Sequence, residues 1–265
     1  MTGPSDARLA LYRDLKDSAL RRSAELAGGV FVVEGMLALQ AVLASPYPLR
    51  SLLVLPRRLE ALGDLALPAG LPVYVADEEV MAATTGYNVH RGLLGLASRL
   101  PGVSAAGLLA QLASRVVMVV EGVNDQENLG AIFRNAAAFA AGAVLLDPTC
   151  SDPLYRRTVR VSLGHVLRVP FARLSPWPVA LELVRKCGFV PVALTPSSQA
   201  ERIEVVSAEL QGSRVALVFG AEGDGLSASV LSMCRSVRIA MAGGIDSLNV
   251  AAATAVALHC FAGHP

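Results

Sequence analysis

The C-terminal half of the chain alternates continuous apolar runs with stretches of helical periodicity, and this alternation limits the folds open to it. The runs at 116–121, 143–146, 165–169, 189–194, 214–219 and 236–241 are rich in Val and Leu. Strands that are apolar on both faces are typical of parallel sheets covered by helices. We therefore predict an α/β domain over residues 114–265, with a parallel sheet between two helical layers.

The first 100 residues show a smaller version of the same pattern. A charged stretch at 5–27 has helical spacing of its leucines and ends at Gly28. Strand-like runs at 30–33, 52–55, 72–76 and 92–97 alternate with helical segments at 35–44, 57–62 and 78–84. We predict a small α/β domain at 1–100 and an uncharged linker with a short helix at 101–113.

Composition raises the question of a membrane protein, because mean hydropathy is +0.50 and 53% of residues are hydrophobic. The longest uncharged apolar run, 136–146, has only 11 residues and is too short to span a bilayer. Charged residues between Arg8 and Arg22 interrupt any apolar stretch suited to a secretion signal. We expect a soluble, cytoplasmic protein without membrane contact.

The cysteines and histidines lack the spacing of metal ligands. No two of the four cysteines form a CxxC pair, and the four histidines show neither HxH nor HxxxH. We predict no metal and no disulfide framework, with reduced and mostly buried thiols at Cys150, Cys187, Cys234 and Cys260.

The first segment with candidate chemistry is 128–135, Asn-Leu-Gly-Ala-Ile-Phe-Arg-Asn, at the start of a helix predicted to run to residue 140. Asn128 is suited to cap that helix, and Asn135 lies close to the same face. The helix is otherwise apolar, so we expect it to be buried and Arg134 to need a partner. Two interpretations stay open for Arg134: a structural salt bridge to Glu222 or Asp125, or a catalytic role.

The second segment, 217–227, is a glycine-rich turn after a strand. Gly220, Gly223 and Gly225 have the spacing GxxGxG, whereas dinucleotide-binding loops have GxGxxG in a first βαβ unit. The segment is either a simple turn with Ser227 at a helix start, or a loop whose backbone approaches a ligand, for which Gly220 gives room.

The third segment, 239–250, places two glycines, Asp246, Ser247 and Asn249 before an apolar helix at 249–261. Ser247 is predicted to cap this helix. Asn249 would lie within its first turn, where a buried amide requires a specific hydrogen-bond partner.

Local charge is uneven, although the net charge is only +1. Residues 153–181 contain five arginines and no acidic residue. Such an excess matches what a phosphate backbone requires. The alternative to an RNA-binding segment is a solvated basic loop without a ligand.

In this order and spacing, the three segments resemble the three motifs of the SpoU/TrmH family of the SPOUT superfamily, which are RNA methyltransferases that use S-adenosylmethionine. The resemblance covers residues 115–261. Residues 1–100 are similar, more loosely, to the small L30e-like domain that binds substrate RNA in rRNA-modifying members. The resemblance implies a trefoil-knotted methyltransferase domain, a homodimer, and methylation of a ribose 2′-hydroxyl in structured RNA, with 23S rRNA expected.

The resemblance also assigns roles to residues. Ala240 departs from the family, in which many members have proline. The implied catalytic residues are Arg134, Asn128, Glu222, Ser247 and Asn249; the implied cofactor-binding residues are Leu194, Thr195, Gly220, Ile239, Leu248 and Asn249; and the implied RNA-binding residues are Arg156, Arg157, Arg160 and Arg168.

Three other functions stay open at this stage. The chain can be a tRNA 2′-O-methyltransferase, or a non-catalytic RNA-binding or ribosome-assembly protein on the same fold. A nicotinamide-dependent oxidoreductase is the third, although the glycine spacing counts against it. Binding of S-adenosylmethionine, of neither cofactor, or of NAD separates the methyltransferases from the other two classes.

Overall fold

A computed structural model describes residues 3–16, 25, 27–243 and 245–261. The chain divides into two compact units, one of Met1–Pro101 with Leu154–Leu167 and one of Gly102–Pro153 with Arg168–Pro265. The first segment of the N-terminal unit ends at Pro101, and the predicted domain boundaries stay a prediction. Residues 154–167, which the sequence-based boundaries assign to the C-terminal domain, pack instead with the N-terminal unit.

Regular elements alternate along the described part of the chain. The strands are β1 Val30–Glu34, β2 Leu49–Val54, β3 Val73–Val75, β4 Leu93–Ser98, β5 Val116–Val120, β6 Val144–Leu146, β7 Phe171–Arg173, β8 Phe189–Leu194, β9 Glu201–Arg202, β10 Arg214–Phe219 and β11 Arg235–Arg238. The α-helices are α1 Met36–Leu43, α2 Leu59–Gly63, α3 Glu78–Thr85, α4 Ala105–Gln111, α5 Gln126–Ala138, α6 Arg156–Val161, α7 Leu181–Lys186, α8 Ile203–Glu209, α9 Ala228–Ser232 and α10 Val250–Phe261. The short helix predicted within the linker is α4.

The N-terminal unit is built on a four-stranded sheet in the order β1-β4-β2-β3. Strand β4 pairs antiparallel with β1 and β2, and β3 pairs parallel with β2. Successive residues of β2 point to opposite faces, so Leu52 and Val54 pack in one core and Leu53 in the other. The sheet is therefore buried on both faces.

The helix expected at 5–27 is only partly within the described residues. A short 3-10 helix covers Ala7–Tyr12, and the Asp6 side chain caps it by accepting from the Arg8 backbone N–H. Residues 17–24 and 26 lie outside the described part of the chain.

The C-terminal unit contains a seven-stranded sheet in the order β7-β6-β5-β10-β8-β11-β9. Every pairing in this sheet is parallel, which confirms the predicted parallel architecture. Strand β10 lies at the centre between β5 and β8, and its residues from Val215 to Phe219 are buried. The loops after β5, β10 and β8 therefore share one edge of the sheet.

The strand predicted at 165–169 is wrong. His165–Leu167 form a 3-10 helix, and the strand of this region, β7, begins only at Phe171. Val166 and Leu167 are buried, so the apolar run serves a core without being extended. Short apolar runs of this kind do not distinguish a buried helical turn from a strand. The predicted strand at 236–241 is also shortened, because β11 ends at Arg238.

Asp147 holds together the loops at this edge of the sheet. Its Oδ1 accepts from the backbone N–H groups of Gly122, Thr149 and Cys150 at 3.2, 3.1 and 2.8 Å. Burial acts to raise the pKa of this carboxyl, but hydrogen bonds from Cys150, Thr149 and Gly122 outweigh burial and lower it. The loop that leads into α5 is thereby fixed by a charged acceptor.

None of the helices in the described ranges combines the length and the apolar character needed to cross a membrane.

The lowered pKa of Asp147 predicts an acid-sensitive contribution to stability. Because the folded-state pKa lies below the unfolded one, the contribution is full above about pH 4 and is lost as pH falls through the folded value. Urea unfolding from pH 7 to pH 3 should therefore show the free-energy difference between the wild type and Asp147→Asn shrinking as pH falls. A difference that stays constant over this range would contradict the assignment.

Candidate active site

Three side chains, one from each of the three sequence segments, meet in a hydrogen-bonded triangle. Asn128 Nδ2 donates to Glu222 Oε2 at 2.9 Å, and Asn249 Nδ2 donates to Glu222 Oε1 at 2.6 Å. Asn249 Nδ2 also donates to Asn128 Oδ1 at 2.9 Å. The Glu222 carboxylate therefore joins two amides that are 121 residues apart in the chain.

Helix α5 presents Asn128 from its first turn and is capped by a different residue. Asp125 accepts from the backbone N–H groups of Glu127 and Asn128, both at 2.8 Å. The prediction that Asn128 is the N-cap is wrong, because Asp125 comes three residues earlier and a carboxylate is at least as good a cap. With the cap supplied elsewhere, the Asn128 amide is available for the triangle.

Asn249 is the residue that caps α10, although Ser247 was the predicted cap. Its Oδ1 accepts from the backbone N–H groups of Ala251 and Ala252 at 2.9 and 3.3 Å. The helix begins at Val250, so Ser247 lies too far before it to reach these donors. Asn249 thus uses its oxygen for the helix and its nitrogen for Glu222, and the cap fixes the orientation of the amide.

A second amide in the first segment holds α5 against α10. Asn135 Nδ2 donates to the Ala251 carbonyl oxygen at 2.7 Å and to Thr254 Oγ1 at 2.8 Å. Thr254 is fully buried. Asn135 therefore sets the relative position of the two helices that carry Asn128 and Asn249.

The glycine-rich segment after β10 folds back on itself. Gly225 N donates to the Ala221 carbonyl oxygen at 3.1 Å, and Gly223 and Gly225 have φ of 92° and 68°. A Cβ on Gly220 would lie 2.1 Å from the Gly225 carbonyl carbon. Gly220 permits a close approach by the backbone of its own loop, and its predicted contact with a ligand stays a prediction. This turn places Glu222 in the triangle.

An open cleft of about 760 Å³, space open to solvent included, lies beside the triangle. Its walls are mainly apolar, with the backbone of the glycine turn along one side. The residues that line it include Leu194, Thr195, Phe219, Gly220, Glu222, Ile239, Met241, Ser247, Leu248 and Val250. The structure thus brings five of the predicted cofactor-binding residues to one cleft, while Asn249 stands in the neighbouring triangle.

Glu121, at the end of β5, is a site-building residue that the sequence analysis missed. Its carboxylate accepts from the Ser227 backbone N–H and hydroxyl and from Trp177 Nε1, each at 2.8 Å. Ser227 caps α9, as predicted, and ends the glycine turn. Glu121 therefore fixes the far end of the turn. A lone acid at a strand end gave no sequence signal for this role.

Arg134 differs from its expected environment. It is exposed on α5, and within the part of the chain that the structure describes it forms no ion pair. The expectation of a buried, paired arginine is wrong, because the apolar residues of α5 lie on one face and Arg134 lies on the other. A structural salt bridge to Glu222 or Asp125 is absent from the described residues, so the guanidinium is available to a ligand.

The predicted RNA-binding arginines fall into both units. Arg156 NH1 donates to the buried Glu34 carboxylate at 2.5 Å, and its guanidinium stacks 4.3 Å from the Tyr87 ring centre. Burial raises the pKa of Tyr87 above its ordinary range. Arg156 is thus committed to the core of the N-terminal unit. Arg157 and Arg168 are exposed and Arg160 is half-buried, and their contacts with RNA stay a prediction.

Arg173, the fifth arginine of the acid-free stretch, is also structural. Its NH1 donates to the carbonyl oxygens of Asp147 and Cys150 at 2.7 and 2.8 Å. Burial raises the pKa of the Cys150 thiol to about 12. Among the residues described, no three His, Cys, Asp or Glu side chains are grouped closely enough to hold a metal ion.

Comparison with known proteins identifies the relatives of this chain. Residues 115–259 match the model of the SpoU rRNA Methylase family. An uncharacterized tRNA/rRNA methyltransferase of Mycobacterium tuberculosis is 43% identical over 257 residues, which are 97% of this chain and 88% of the relative. The 23S rRNA (guanosine-2′-O-)-methyltransferase RlmB of Vibrio vulnificus is 32% identical over 152 residues, which are 57% of this chain and 60% of that protein.

A solved structure shares the fold over nearly the whole chain. The AdoMet-bound rRNA methyltransferase from Sinorhizobium meliloti superposes with a TM-score of 0.83 at 23% identity, covering 98% of this chain and 96% of that one. These findings confirm the family suggested by the three segments.

The contact between Gly220 and Gly225 predicts that Gly220→Ala is strongly destabilising. The new methyl group would meet backbone atoms, which cannot rotate away, so we expect a loss of about 1–3 kcal/mol of unfolding free energy. Thermal unfolding measures this loss as a fall in Tm of roughly 2–10 °C.

Gly243→Ala is the matched control, because a Cβ at Gly243 would meet no atom within 4 Å. Equal melting temperatures for the two variants would show that the turn does not have the packing described.

Proposed function

Because the chain belongs to the SpoU rRNA Methylase family, we propose that it transfers a methyl group from S-adenosylmethionine to a ribose 2′-hydroxyl of structured RNA, most specifically 23S rRNA. The observation that carries the proposal is the Asn128–Glu222–Asn249 triangle at the mouth of an apolar cleft. It joins residues of all three family-like segments, and its Asn128 lies on α5, the helix that also carries Arg134.

The chemistry of the cleft fits S-adenosylmethionine. Leu194, Ile239 and Leu248 offer apolar surface to a flat base, and backbone groups of the turn at Gly220 are close by. Glu222, which also lines the cleft, supplies a negative charge that complements a cationic sulfonium. When bound, the cofactor supplies an electrophilic methyl group.

The chain's own residues would orient the nucleophile and manage its charge. A guanidinium keeps its proton in proteins, so Arg134 acts by orienting the ribose hydroxyl and stabilising negative charge, rather than as an ordinary base. Asn128, Glu222 and Asn249 hold α5 and α10 in register around that position. Ser247 stands on the cleft wall, where its hydroxyl can donate to or accept from a ligand.

The choice of 23S rRNA rests on the RlmB relative, whose similarity spans 57% of this chain. We extend the proposal to residues 1–100 as an L30e-like domain that binds the substrate, to a trefoil knot in residues 114–265, and to action in the cytoplasm without a metal. Methylation of tRNA is the alternative outcome within the same chemistry.

The geometry of the glycine turn disfavours the oxidoreductase alternative. In dinucleotide-binding folds the glycine loop leads into a helix whose first N–H groups face the pyrophosphate. Here Gly225 closes back onto Ala221, and the following helix, α9, has its start capped by Ser227. A cofactor titration tests this directly: heat with S-adenosylmethionine and none with NAD is expected, and the reverse would overturn the proposal.

The substrate is tested by mapping 2′-O-methyl groups in the total RNA of a deletion strain. Loss of one 23S rRNA site, restored by the wild-type chain, is the expected result. Loss of a tRNA site would correct the substrate, and an unchanged map together with no binding of S-adenosylmethionine would favour a non-catalytic RNA-binding protein.

The proposed role of Arg134 predicts that Arg134→Ala abolishes methyl transfer and leaves affinity for S-adenosylmethionine within a few-fold of the wild type. The reason is that its interaction is made in the transition state rather than with the bound cofactor. Single-turnover methylation and calorimetry measure the two quantities separately. Arg202→Ala, which removes an exposed arginine of the same unit, is the control. An Arg134→Ala protein that keeps its turnover would refute the role.

We also propose a homodimer, since α10 and the neighbouring α8 each expose a valine, Val256 and Val205. Sedimentation at micromolar concentration should give a species of twice 27.6 kDa. A monomer alone under these conditions would argue against it.

A further inference from the structure

The N-terminal unit contains a cleft of its own, distinct from the cleft beside the triangle. It has a volume of about 520 Å³, space open to solvent included, and is lined by Met36, Leu37, Arg58, Arg91 and Leu93. All five residues belong to the N-terminal unit. The lining combines apolar side chains with two arginines.

Contacts within the fold hold both arginines in the lining of the cleft. The Arg91 side chain lies across Gly35, at the start of α1. A Cβ at Gly35 would be only 2.6 Å from Arg91 Cδ. Gly35 has a φ of 88°, which favours glycine at this position. Arg58 Nε donates to the Arg91 carbonyl oxygen at 2.9 Å. Arg58 is thus held to the backbone of Arg91, and both side chains line the one cleft.

The charge at this rim is uncompensated. Over the described ranges neither Arg58 nor Arg91 has an acidic partner, whereas the neighbouring Arg57 forms an ion pair with Glu78. Two cationic side chains at one cleft, beside the positive end of a helix, favour an anion there. The rim therefore suits a phosphate, which arginine binds through paired N–H groups.

The apolar part of the cleft suits a base. Leu37 is 54% exposed although it is a large hydrophobic residue in the first turn of α1, and Met36 beside it is half-buried. The face of a base can pack on such side chains and on a guanidinium plane only where the base is not stacked in a duplex. The combination of a phosphate rim and an apolar floor matches one unpaired nucleotide.

We propose that this cleft binds an unpaired nucleotide of the substrate RNA, with Arg58 and Arg91 on the phosphate and Leu37 against the base. The inference rests on the proposed function, since it deepens how the N-terminal unit would recognise RNA. It assigns a specific site to that unit, at which the arginines and Leu37 make separate electrostatic and apolar contributions to RNA affinity.

The test is the affinity of the full chain for an in vitro transcript of 23S rRNA, measured by filter binding over a salt series. Arg91→Ala should lower the slope of log K against log salt by about 0.7 to 0.9, which corresponds to about a six-fold loss at 0.1 M salt. Leu37→Ser should weaken binding and leave the slope unchanged, because it removes no charge. Both positions are exposed, so a melting curve suffices to check folding.

Arg50→Ala is the matched control, because Arg50 is an exposed arginine of the same sheet near the opposite end of β2. Its slope and affinity should match the wild type. Equal effects of Arg50→Ala and Arg91→Ala would overturn the cleft in favour of diffuse attraction, and no effect of Arg91→Ala and Leu37→Ser would overturn it outright.

Methyl transfer and calorimetry with S-adenosylmethionine separate the two proposals. If the wild type methylates the transcript while the cleft variants bind it normally, only the cleft proposal fails. If the wild type binds neither S-adenosylmethionine nor NAD but the cleft variants lose RNA affinity as described, the cleft stands and the enzymatic proposal fails.

Discussion

The Glu222 carboxylate is the acceptor on which the site depends. It accepts hydrogen bonds from the amide nitrogens of Asn128 and Asn249, and so connects the loop after β10 with the first turn of α5 and the N-cap of α10. A carboxylate can accept several hydrogen bonds at once, whereas a neutral amide or hydroxyl offers fewer lone pairs and no charge. The turn that carries Glu222 is in turn closed at Gly225 and fixed at Ser227 by Glu121. The site is therefore organised from the centre of the sheet outwards.

Much of the fold and the membership of the site could be predicted from the sequence, because both depend on local patterns. Continuous apolar runs predicted the parallel sheet, and the three segments contained the residues that meet at the triangle and most of those that line the cleft. The errors arose where two residues compete for one local role. Asp125 and Asn249 displace Asn128 and Ser247 as helix caps, and the spacing alone does not show which candidate begins the helix.

Long-range pairing explains a further difference. The acid-free stretch at 153–181 reads as a uniform basic segment, yet Arg156 pairs with Glu34, 122 residues away, and Arg173 binds backbone carbonyls. Arg157 and Arg168 of that stretch are exposed and Arg160 is half-buried, and their contact with RNA stays a prediction. A buried ion pair often adds little net stability, but it constrains the positions of the two elements that carry it. Arg156 therefore mainly fixes α6 within the N-terminal unit.

Because the Asn249 amide has two structural roles, this protein cannot easily gain stability by replacing it. Replacing a polar active-site residue commonly stabilises an enzyme, because such residues are kept for activity at a cost in folding free energy. At position 249 the same side chain begins α10 and contributes to the triangle. A replacement that abandons the site also uncaps the helix, while aspartate would keep the cap and set a second carboxylate against Glu222. We therefore expect substitutions that raise thermostability to occur at other positions and not at Asn249.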